Sequence, residues 1–283
     1  PSVIYINKRG GKVYGQRAYD NEPRDPGNTG KLFKRLMGSS TKIKFDYNGL
    51  EMTPEECSSE ILRVLFSYLP EDIRNDKNTG TVITVPAAFN QMQKDATKQA
   101  AFHAGIQKVA LIQEPVAAIM SVARHQNING LFVVYDFGGG TFDISIAERT
   151  GNKINLLTND GIALCGGRDF DKLLFDNIVI PWLYDNFSLP EDFRTNKKYA
   201  TLLRMAIWAT EKAKIELSAK EATSVRLDEN EVRCTDENMA EIYLDVPITR
   251  AMYNELIWPK IDETIEKTRA VIQNSALKPE DIN

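Results

Sequence analysis

Histidine and cysteine are scarce in this chain, and each scarcity argues against a class of protein. The 283 residues include 2 histidines, His103 and His125, and 3 cysteines. The cysteines, Cys57, Cys165 and Cys234, have no Cys-x-x-Cys spacing, which fits a reducing compartment and argues against a zinc site or a disulfide scaffold. We expect both histidines to be ordinary surface or half-buried rings rather than metal ligands or catalytic groups.

Long apolar runs and positive charge are limited as well. No run approaches the roughly 18 apolar residues that a transmembrane helix needs, so we predict no membrane segment. The formal net charge of −4 argues against a general nucleic-acid binder, which is usually basic. Low-complexity blocks and internal repeats are absent. With 42% hydrophobic and 26% charged residues, the composition is typical of a globular protein of about two domains.

Helix and strand signals alternate through the middle of the chain. Thr53 and Glu56 predict the N-terminal cap of one helix, and Asn90 and Gln93 predict that of a second. "TVITVP" and "VALIQ" are predicted as strands, the first of them buried, and "EPVAAIMSVARHQ" as a third helix. This alternation predicts an α/β fold with a mixed or parallel sheet. The residues expected to face inward are Cys57, Ile61, Leu65 and Leu69 on the first helix, and Met92, Ala96, Ala100 and Ala104 on the second.

The segment "YDFGGGTFDIS", residues 135–145, carries the strongest sign of chemistry. A strand ends at Asp136, three glycines follow, and Thr141 begins an alternating return strand, so we predict a hairpin. Glycine permits positive φ and close approach of a ligand, and successive amide groups in such a turn can bind an anion. Asp136 could hold Mg²⁺ through its water shell, and the Thr141 hydroxyl could donate to a phosphate. A plain glycine-rich turn is the alternative, although three glycines match no two-residue hairpin turn.

Known phosphate motifs do not explain this loop. Asp-Phe-Gly occurs in protein kinases, but the strand lysine, the His-Arg-Asp loop and the Ala-Pro-Glu motif of that class are missing. A P-loop ends in Gly-Lys-Ser/Thr and leads into a helix, and a dinucleotide-binding fingerprint also leads into a helix. Here a strand follows the glycines, so the sequence predicts a different kind of phosphate loop.

Several weaker candidates lie elsewhere, each with a structural alternative. Glu114 precedes a proline and is expected to cap its helix. Lys34 and Arg35 would by themselves be a solvated surface pair. The Gly166-Gly167 step before a helix resembles an anion site, although a loop turn explains it equally well. A long helix is predicted from about Lys197 to Ser218. Three of its side chains share one face, which is either a ligand site or a solvated surface: Glu211, Lys214 and Ser218.

Together these stretches resemble the DnaK-like seventy-kilodalton heat-shock chaperones, within the actin-like ATPase superfamily. "VITVPAAFNQMQKDATKQAAFHAG" and "LIQEPVAAIM" are similar to that family's strand–helix and Glu-Pro-x-Ala-Ala elements. "VVYDFGGGTFDISI" resembles its second phosphate loop, and "ALCGGRDFD" its Gly-Gly-x-Asp-Phe-Asp turn. "EKAKIELS" resembles its adenosine helix and "FKRLMG" its catalytic-lysine segment. The resemblance covers essentially the whole chain, with the motifs in the family's order.

The resemblance implies an actin-like, ribonuclease H-like fold of two lobes, with ATP or ADP and Mg²⁺ in the cleft between them. Lys34 would contact the γ-phosphate, and Glu114 would accept a proton from the attacking water or orient it. Asp136 would bind Mg²⁺ through waters, with Asp143 near the metal. The nucleotide-binding residues that it implies are Gly138, Gly139, Gly140 and Thr141 for the phosphates, Gly166 and Gly167 beside them, and Glu211, Lys214, Ile215 and Ser218 for the adenosine. Pro86 and Lys94 would relay nucleotide state between the lobes.

The resemblance also implies how the lobes divide. The expected segments are 1–54 for the upper and 55–127 for the lower part of the first lobe, 128–165 with 251–283 for the lower part of the second lobe, and 166–250 for its upper part. The family's first phosphate loop and its final adenosine loop are not found in the sequence. We therefore expect a piece of a longer chaperone that binds nucleotide weakly and hydrolyses it poorly. Arg168 departs from the family pattern, because an acidic residue is common there, and His103 is also unusual.

The implied partners are a J-domain co-chaperone, a nucleotide-exchange factor and unfolded client peptides held by a separate domain. We expect a monomer in the cytoplasm, with an organelle as the alternative. A small-molecule kinase of the same superfamily is one rival reading, and it would need a substrate pocket that the sequence does not reveal. Other rivals are a module that binds co-chaperones without nucleotide and a chaperone homologue whose substituted positions changed its role.

Overall fold

The computed structural model describes residues 1–123 and 128–282. The described chain forms two compact units. The first comprises residues 1–132 and 147–157, and the second comprises residues 133–146 and 158 onward. Both units mix helices with strands, so the predicted α/β class agrees with the structure.

In its described residues, the first unit contains small sheets and five α-helices. Its strands are β1 (Val3–Ile6), β2 (Lys12–Tyr14), β3 (Thr29–Lys31), β4 (Ile43–Phe45), β5 (Leu50–Met52), β6 (Thr81–Val85) and β7 (Val109–Gln113). Its helices are α1 (Gln16–Tyr19), α2 (Pro54–Ser67), α3 (Glu71–Asn75), α4 (Gln91–His103) and α5 (Glu114–Ala123). β1 lies between β2 and β3, β4 pairs antiparallel with β5, and β6 pairs parallel with β7.

Both predicted helix caps in this unit are confirmed. The Glu56 amide donates to Thr53 Oγ1 at 3.1 Å, and the Thr53 amide donates to the Glu56 carboxylate at 2.7 Å. Asn90 and Gln93 make the same reciprocal pair, with both bonds at 3.0 Å. Each capping box satisfies two amide groups that have no partner within the helix. The sequence therefore fixes where α2 and α4 begin.

Three of the residues predicted to face inward are exposed instead. Leu65 and Leu69 were expected to continue the buried face of Cys57 and Ile61, but both are exposed. Each step of four residues advances about 40° beyond a full turn of a 3.6-residue helix, so the series has rotated out of the interface at Leu65, and Leu69 lies beyond the end of α2 at Ser67. Leu62 and Phe66 pack against the α4 cluster in their place. On α4, Ala96, Ala100 and Ala104 are buried as predicted, whereas Met92 is 67% exposed.

Two further predictions in this unit need correction or fall outside the description. β6 is not a buried strand, because its residues alternate in exposure and only Val85 is buried. That period of two is the ordinary pattern of a strand with one covered face. The helix predicted from Glu114 is present to Ala123. Its expected continuation and His125 lie outside the described residues. His103 ends α4, where its carbonyl accepts a 3.0 Å bond from Arg63.

The second unit carries the glycine loop and the long helix. Strands β8 (Gly130–Phe137), β9 (Thr141–Thr150) and β10 (Lys153–Ala163) form a sheet with β9 in the middle, and the glycine loop joins the ends of β8 and β9 that belong to this unit. The remaining elements are α6 (Gly167–Leu174), a π-helical turn (Phe175–Val179), α7 (Ile180–Asn186), α8 (Ala200–Glu216), β11 (Ala222–Leu227), α9 (Glu229–Val232), β12 (Leu244–Thr249) and α10 (Arg250–Asn274). The predicted hairpin around the glycines is thus confirmed.

Burial in the second unit is deeper than the sequence suggested. Phe142, Ile144 and Ile146 are buried on one face of β9 as predicted, but Ser145 and Ala147 on the other face are buried too. β9 is thus covered on both faces from Ile144 to Ala147, so the expected half-buried pattern does not hold. A separate core surrounds α8 and includes the fully buried residues Tyr199, Leu202, Leu183 and Val225. This core fixes α8, the helix that carries the predicted adenosine residues.

β12 begins at Leu244 and pairs antiparallel with β11. α10 begins one residue after Thr249, whose hydroxyl accepts from the Met252 amide at 3.2 Å. Among the described residues, no helix is both long and apolar enough to cross a membrane.

Candidate functional site

In the first unit, the structure brings Lys34 and Glu114 together. Lys34 Nζ lies 2.7 Å from Glu114 Oε1, across 80 residues of sequence. The Lys34 side chain is 59% exposed and that of Glu114 is 25% exposed. Lys34 is therefore more than a solvated surface residue, and its ammonium group keeps a reachable carboxylate at a fixed place.

Local backbone structure positions both partners. Leu32 has a left-handed φ of 64°, which is uncommon for a residue with a side chain, and it turns the chain into a short 3₁₀ helix, Phe33–Leu36. The buried Phe33 anchors that turn and leaves Lys34 facing outward. Glu114 is the first residue of α5 rather than a residue before it, directly after β7. The predicted capping role is replaced by the ion pair with Lys34.

In the second unit, the glycine loop is a closed turn between β8 and β9. The Gly138 amide donates to the Thr141 carbonyl at 3.0 Å. In the described part of the chain, the positive φ values expected for this loop belong to other glycines, such as Gly130 and Gly151. A Cβ added to Gly139 would meet no atom within 4 Å. The loop thus has open space before it, and its glycines do not take left-handed geometry.

The close packing partner of the loop is the Gly166-Gly167 segment. The Gly167 amide donates to the Gly138 carbonyl at 3.2 Å, and the Arg168 amide donates to the Gly139 carbonyl at 3.0 Å. A Cβ on Gly166 would lie 2.7 Å from both Gly138 O and Gly139 C, and closer still to Gly140 N. The absence of a side chain at Gly166 lets the N-terminus of α6 rest directly on the loop.

Carboxylate and hydroxyl oxygens flank this loop. Asp136 is the next-to-last residue of β8, which ends at Phe137 and not at Asp136 as predicted, and Asp136 is exposed. Thr141 is also exposed, and its hydroxyl donates to Asp143 Oδ2 at 3.2 Å. Among the described residues, no group of three or more histidine, cysteine or acidic side chains could enclose a metal ion. Mg²⁺ commonly keeps several waters and uses only one or two carboxylates, so the exposed Asp136 fits such an ion better than a fully protein-bound one.

Lys214 connects α8 to the Gly166-Gly167 segment and to α6. Its Nζ donates to the Gly167 carbonyl at 2.9 Å and lies 2.6 Å from Asp171 Oδ1. Burial raises the pKa of the Asp171 carboxyl to about 6, although Lys214 opposes that shift. The ammonium group of Lys214 is thus already bonded within the protein.

Three of the predicted adenosine residues line one cavity. Lys214, Ile215 and Ser218 face a cavity of about 420 Å³, within the range of small-molecule sites. The other described residues that line it are Leu217, Arg250, Tyr253 and Asn254. Ile215 is 60% exposed, so an apolar surface is offered to a flat ligand. Of the predicted set, Glu211 is half-buried on the same helix but is not among the lining residues in the described chain.

Residues 39–283 match the model of the Hsp70 protein family. The chain belongs to the Hsp70 family. Every predicted site residue except Lys34 lies within the matched range. The resemblance read from the sequence motifs is thus confirmed at the level of the family.

Two residues of this candidate site were not singled out from the sequence. Asp171 is the last residue of the Gly-Gly-Arg-Asp-Phe-Asp segment, so the motif contained it but gave no reason to choose it. Arg250 donates to the Leu217 carbonyl at 2.8 Å and to the Lys220 carbonyl at 2.9 Å, which holds the C-terminal turn of α8. Arg250 carried no local signal, because its contacts lie about thirty residues earlier in the chain.

Proposed function

We propose that this chain is the nucleotide-binding domain of an Hsp70-family chaperone, with the actin-like two-lobed fold of that family. It binds ATP and ADP with Mg²⁺, and ATP hydrolysis couples the nucleotide state to the binding of unfolded polypeptides elsewhere in the protein. The observation that carries this proposal is the convergence of Lys214, Ile215 and Ser218 on one cavity. These residues were chosen from the sequence alone.

The loop supplies the chemistry that a polyphosphate needs. A short hydrogen-bonded turn presents the Gly139 backbone to open space, and a phosphate oxygen can approach it without meeting a side chain. The exposed Thr141 hydroxyl can donate to the same phosphate. When bound, Mg²⁺ neutralises phosphate charge, and Asp136 would hold it through water with Asp143 nearby.

The pair in the first unit suits the hydrolytic step. Glu114 can accept a hydrogen bond from a water and orient it, or take its proton. Lys34, 2.7 Å away, keeps that carboxylate in place and offers a positive charge to a γ-phosphate. Phosphoryl transfer depends mostly on positioning and charge neutralisation, which these two groups can supply.

Family membership favours a chaperone over the rival small-molecule kinase of the same superfamily. It also supports a J-domain co-chaperone, a nucleotide-exchange factor and unfolded clients as the classes of partner. A module that binds co-chaperones without nucleotide would leave the cavity and the Lys34–Glu114 pair without a role. We therefore retain the nucleotide-dependent function, with the cytoplasm as its proposed location.

A cavity-filling substitution tests the adenosine site. Ser218→Phe places a large side chain at the cavity wall, and we expect it to weaken ADP binding by about tenfold or more, since filling a ligand site removes contact and forces rearrangement. The matched control is Ala219→Phe, because Ala219 is exposed in the same turn and lies outside the cavity lining of the described chain. Equilibrium titration with ADP gives both affinities. Equal affinities for the two variants would contradict the cavity assignment.

A further inference from the structure

A continuous set of contacts leads from Asp171 to the glycine loop. Asp171 pairs with Lys214 at 2.6 Å, and Lys214 donates to the Gly167 carbonyl at 2.9 Å. The Gly167 amide in turn donates to the Gly138 carbonyl at 3.2 Å. α8, the start of α6 and the loop are thus tied through one lysine.

The ion pair is buried at Asp171 and half-buried at Lys214. The Asp171 side chain is 6% exposed and that of Lys214 is 16% exposed. A buried carboxylate loses its hydration, and an ion pair often recovers only part of that cost. An apolar pair of similar volume would hold these two helices together at least as well. Stability alone therefore does not account for a carboxylate at this position.

We propose that Asp171 is a positioning residue, which fixes the Lys214 ammonium group on the Gly167 carbonyl and thereby holds the N-terminus of α6 against the glycine loop. The inference rests on the proposed nucleotide-binding function, because the loop is where the phosphates would lie. Asp171 itself is placed to touch Lys214 and not the ligand. Without its charge, Lys214 is free to leave Gly167, and the loop loses its support.

Acid should protonate Asp171 and release Lys214 from the Gly167 carbonyl. This protonation does not by itself destabilise the folded chain. The pKa of Asp171 is raised to about 6 by burial, while Lys214 and Arg168 lower it and Glu211 raises it. Tyr253 of α10 also faces it, and the pKa of that phenol is raised to about 12 by burial and by the Asp171 charge. Because the folded pKa of Asp171 exceeds the unfolded one, its contribution to stability is present at low pH and is lost as the pH rises through about 6.

The first arm of the test needs no ligand. Asp171→Asn removes the charge and keeps the shape, and Glu216→Gln removes an exposed carboxylate from α8, the helix of Lys214, as a control. Hydrogen exchange is measured at the Gly167 and Arg168 amides, above and below the Asp171 pKa of about 6, and corrected for intrinsic rates. We expect Asp171→Asn to reduce protection about tenfold above that pKa and to match wild type below it, because acid removes the charge from wild type as well.

A second variant, Lys214→Met, and an ADP titration distinguish the positioning role of Asp171 from the proposed nucleotide function. Lys214→Met should lose the same protection, and adding Asp171→Asn to it should change nothing further. ADP titration of wild type and Asp171→Asn should show an affinity ratio of about tenfold that shrinks towards one as the pH falls below the pKa. The ionisation of ADP is common to both proteins and cancels in this ratio.

Unchanged amide protection, or a loss that is the same at every pH, would overturn the positioning role whatever the nucleotide does. If Asp171→Asn loses amide protection but wild type binds no ADP, the positioning role of Asp171 is supported and the proposed nucleotide function is ruled out. The two failures are therefore distinguishable.

Discussion

Replacing Gly166 with alanine is expected to destabilise the second unit by about 2–3 kcal/mol and to abolish nucleotide binding, because the added methyl group overpacks a dense contact. The new Cβ would lie 2.7 Å from Gly138 O and Gly139 C. These are backbone atoms of the loop and cannot move aside as a flexible side chain would. The φ of −173° at Gly166 is open to any residue, so the cost comes from the contact and not from backbone strain.

Gly139→Ala is the matched control for this substitution. Its Cβ would meet no atom within 4 Å, so we expect the free energy of unfolding to change by no more than about 0.5 kcal/mol. The same methyl group enters the space proposed for phosphate, so ADP affinity should still fall. Urea unfolding and ADP titration measure the two effects separately. Equal stability of Gly166→Ala and wild type would show that the loop and α6 do not pack as described.

The second large effect is expected at Glu114. Glu114→Gln keeps a hydrogen-bond acceptor for Lys34 but removes the basic carboxylate, so single-turnover ATP hydrolysis should fall by about 100-fold or more. ADP affinity should change less than about twofold, because the carboxylate acts on water and not on the bound nucleotide.

Glu71→Gln provides the control for Glu114, since Glu71 is an exposed carboxylate at the start of α3 in the same unit. Its hydrolysis rate should equal that of wild type. Lys34→Ala should also slow hydrolysis, because it removes the partner 2.7 Å from Glu114. A Glu114→Gln protein that hydrolyses ATP at the wild-type rate would rule out this carboxylate as the group that activates water.

Local signals predicted local structure well. The caps at Thr53 and Asn90 and the hairpin around the three glycines follow from short segments, because each involves neighbouring residues. The positions of Leu65 and Met92 were wrong, since a periodic pattern does not say which neighbour covers a helix or where that cover ends. Burial of both faces of β9 likewise depends on what packs over each face of the sheet, which the local sequence does not show.

For the candidate site, too, local motifs could be recognised in the sequence but contacts between distant segments could not. Residue roles came from the resemblance of several motifs to one family, and family membership is now established. The bonds that organise the site join distant segments, as Lys34 joins Glu114 and Lys214 joins Gly167. Such contacts depend on the tertiary fold, so the sequence named most of the residues without showing what they bond to. Asp171 was missed because its role exists only through Lys214.

The central claim is that the cavity and glycine loop of the second unit bind an adenine nucleotide with Mg²⁺. Calorimetric titration of ADP into the chain, once with Mg²⁺ and once with EDTA, tests it most directly. We expect saturable binding of ADP that depends on the metal, because Mg²⁺ offsets the phosphate charge beside Asp136 and Asp143. Absence of saturable binding in both titrations, or identical binding in the two, would contradict it.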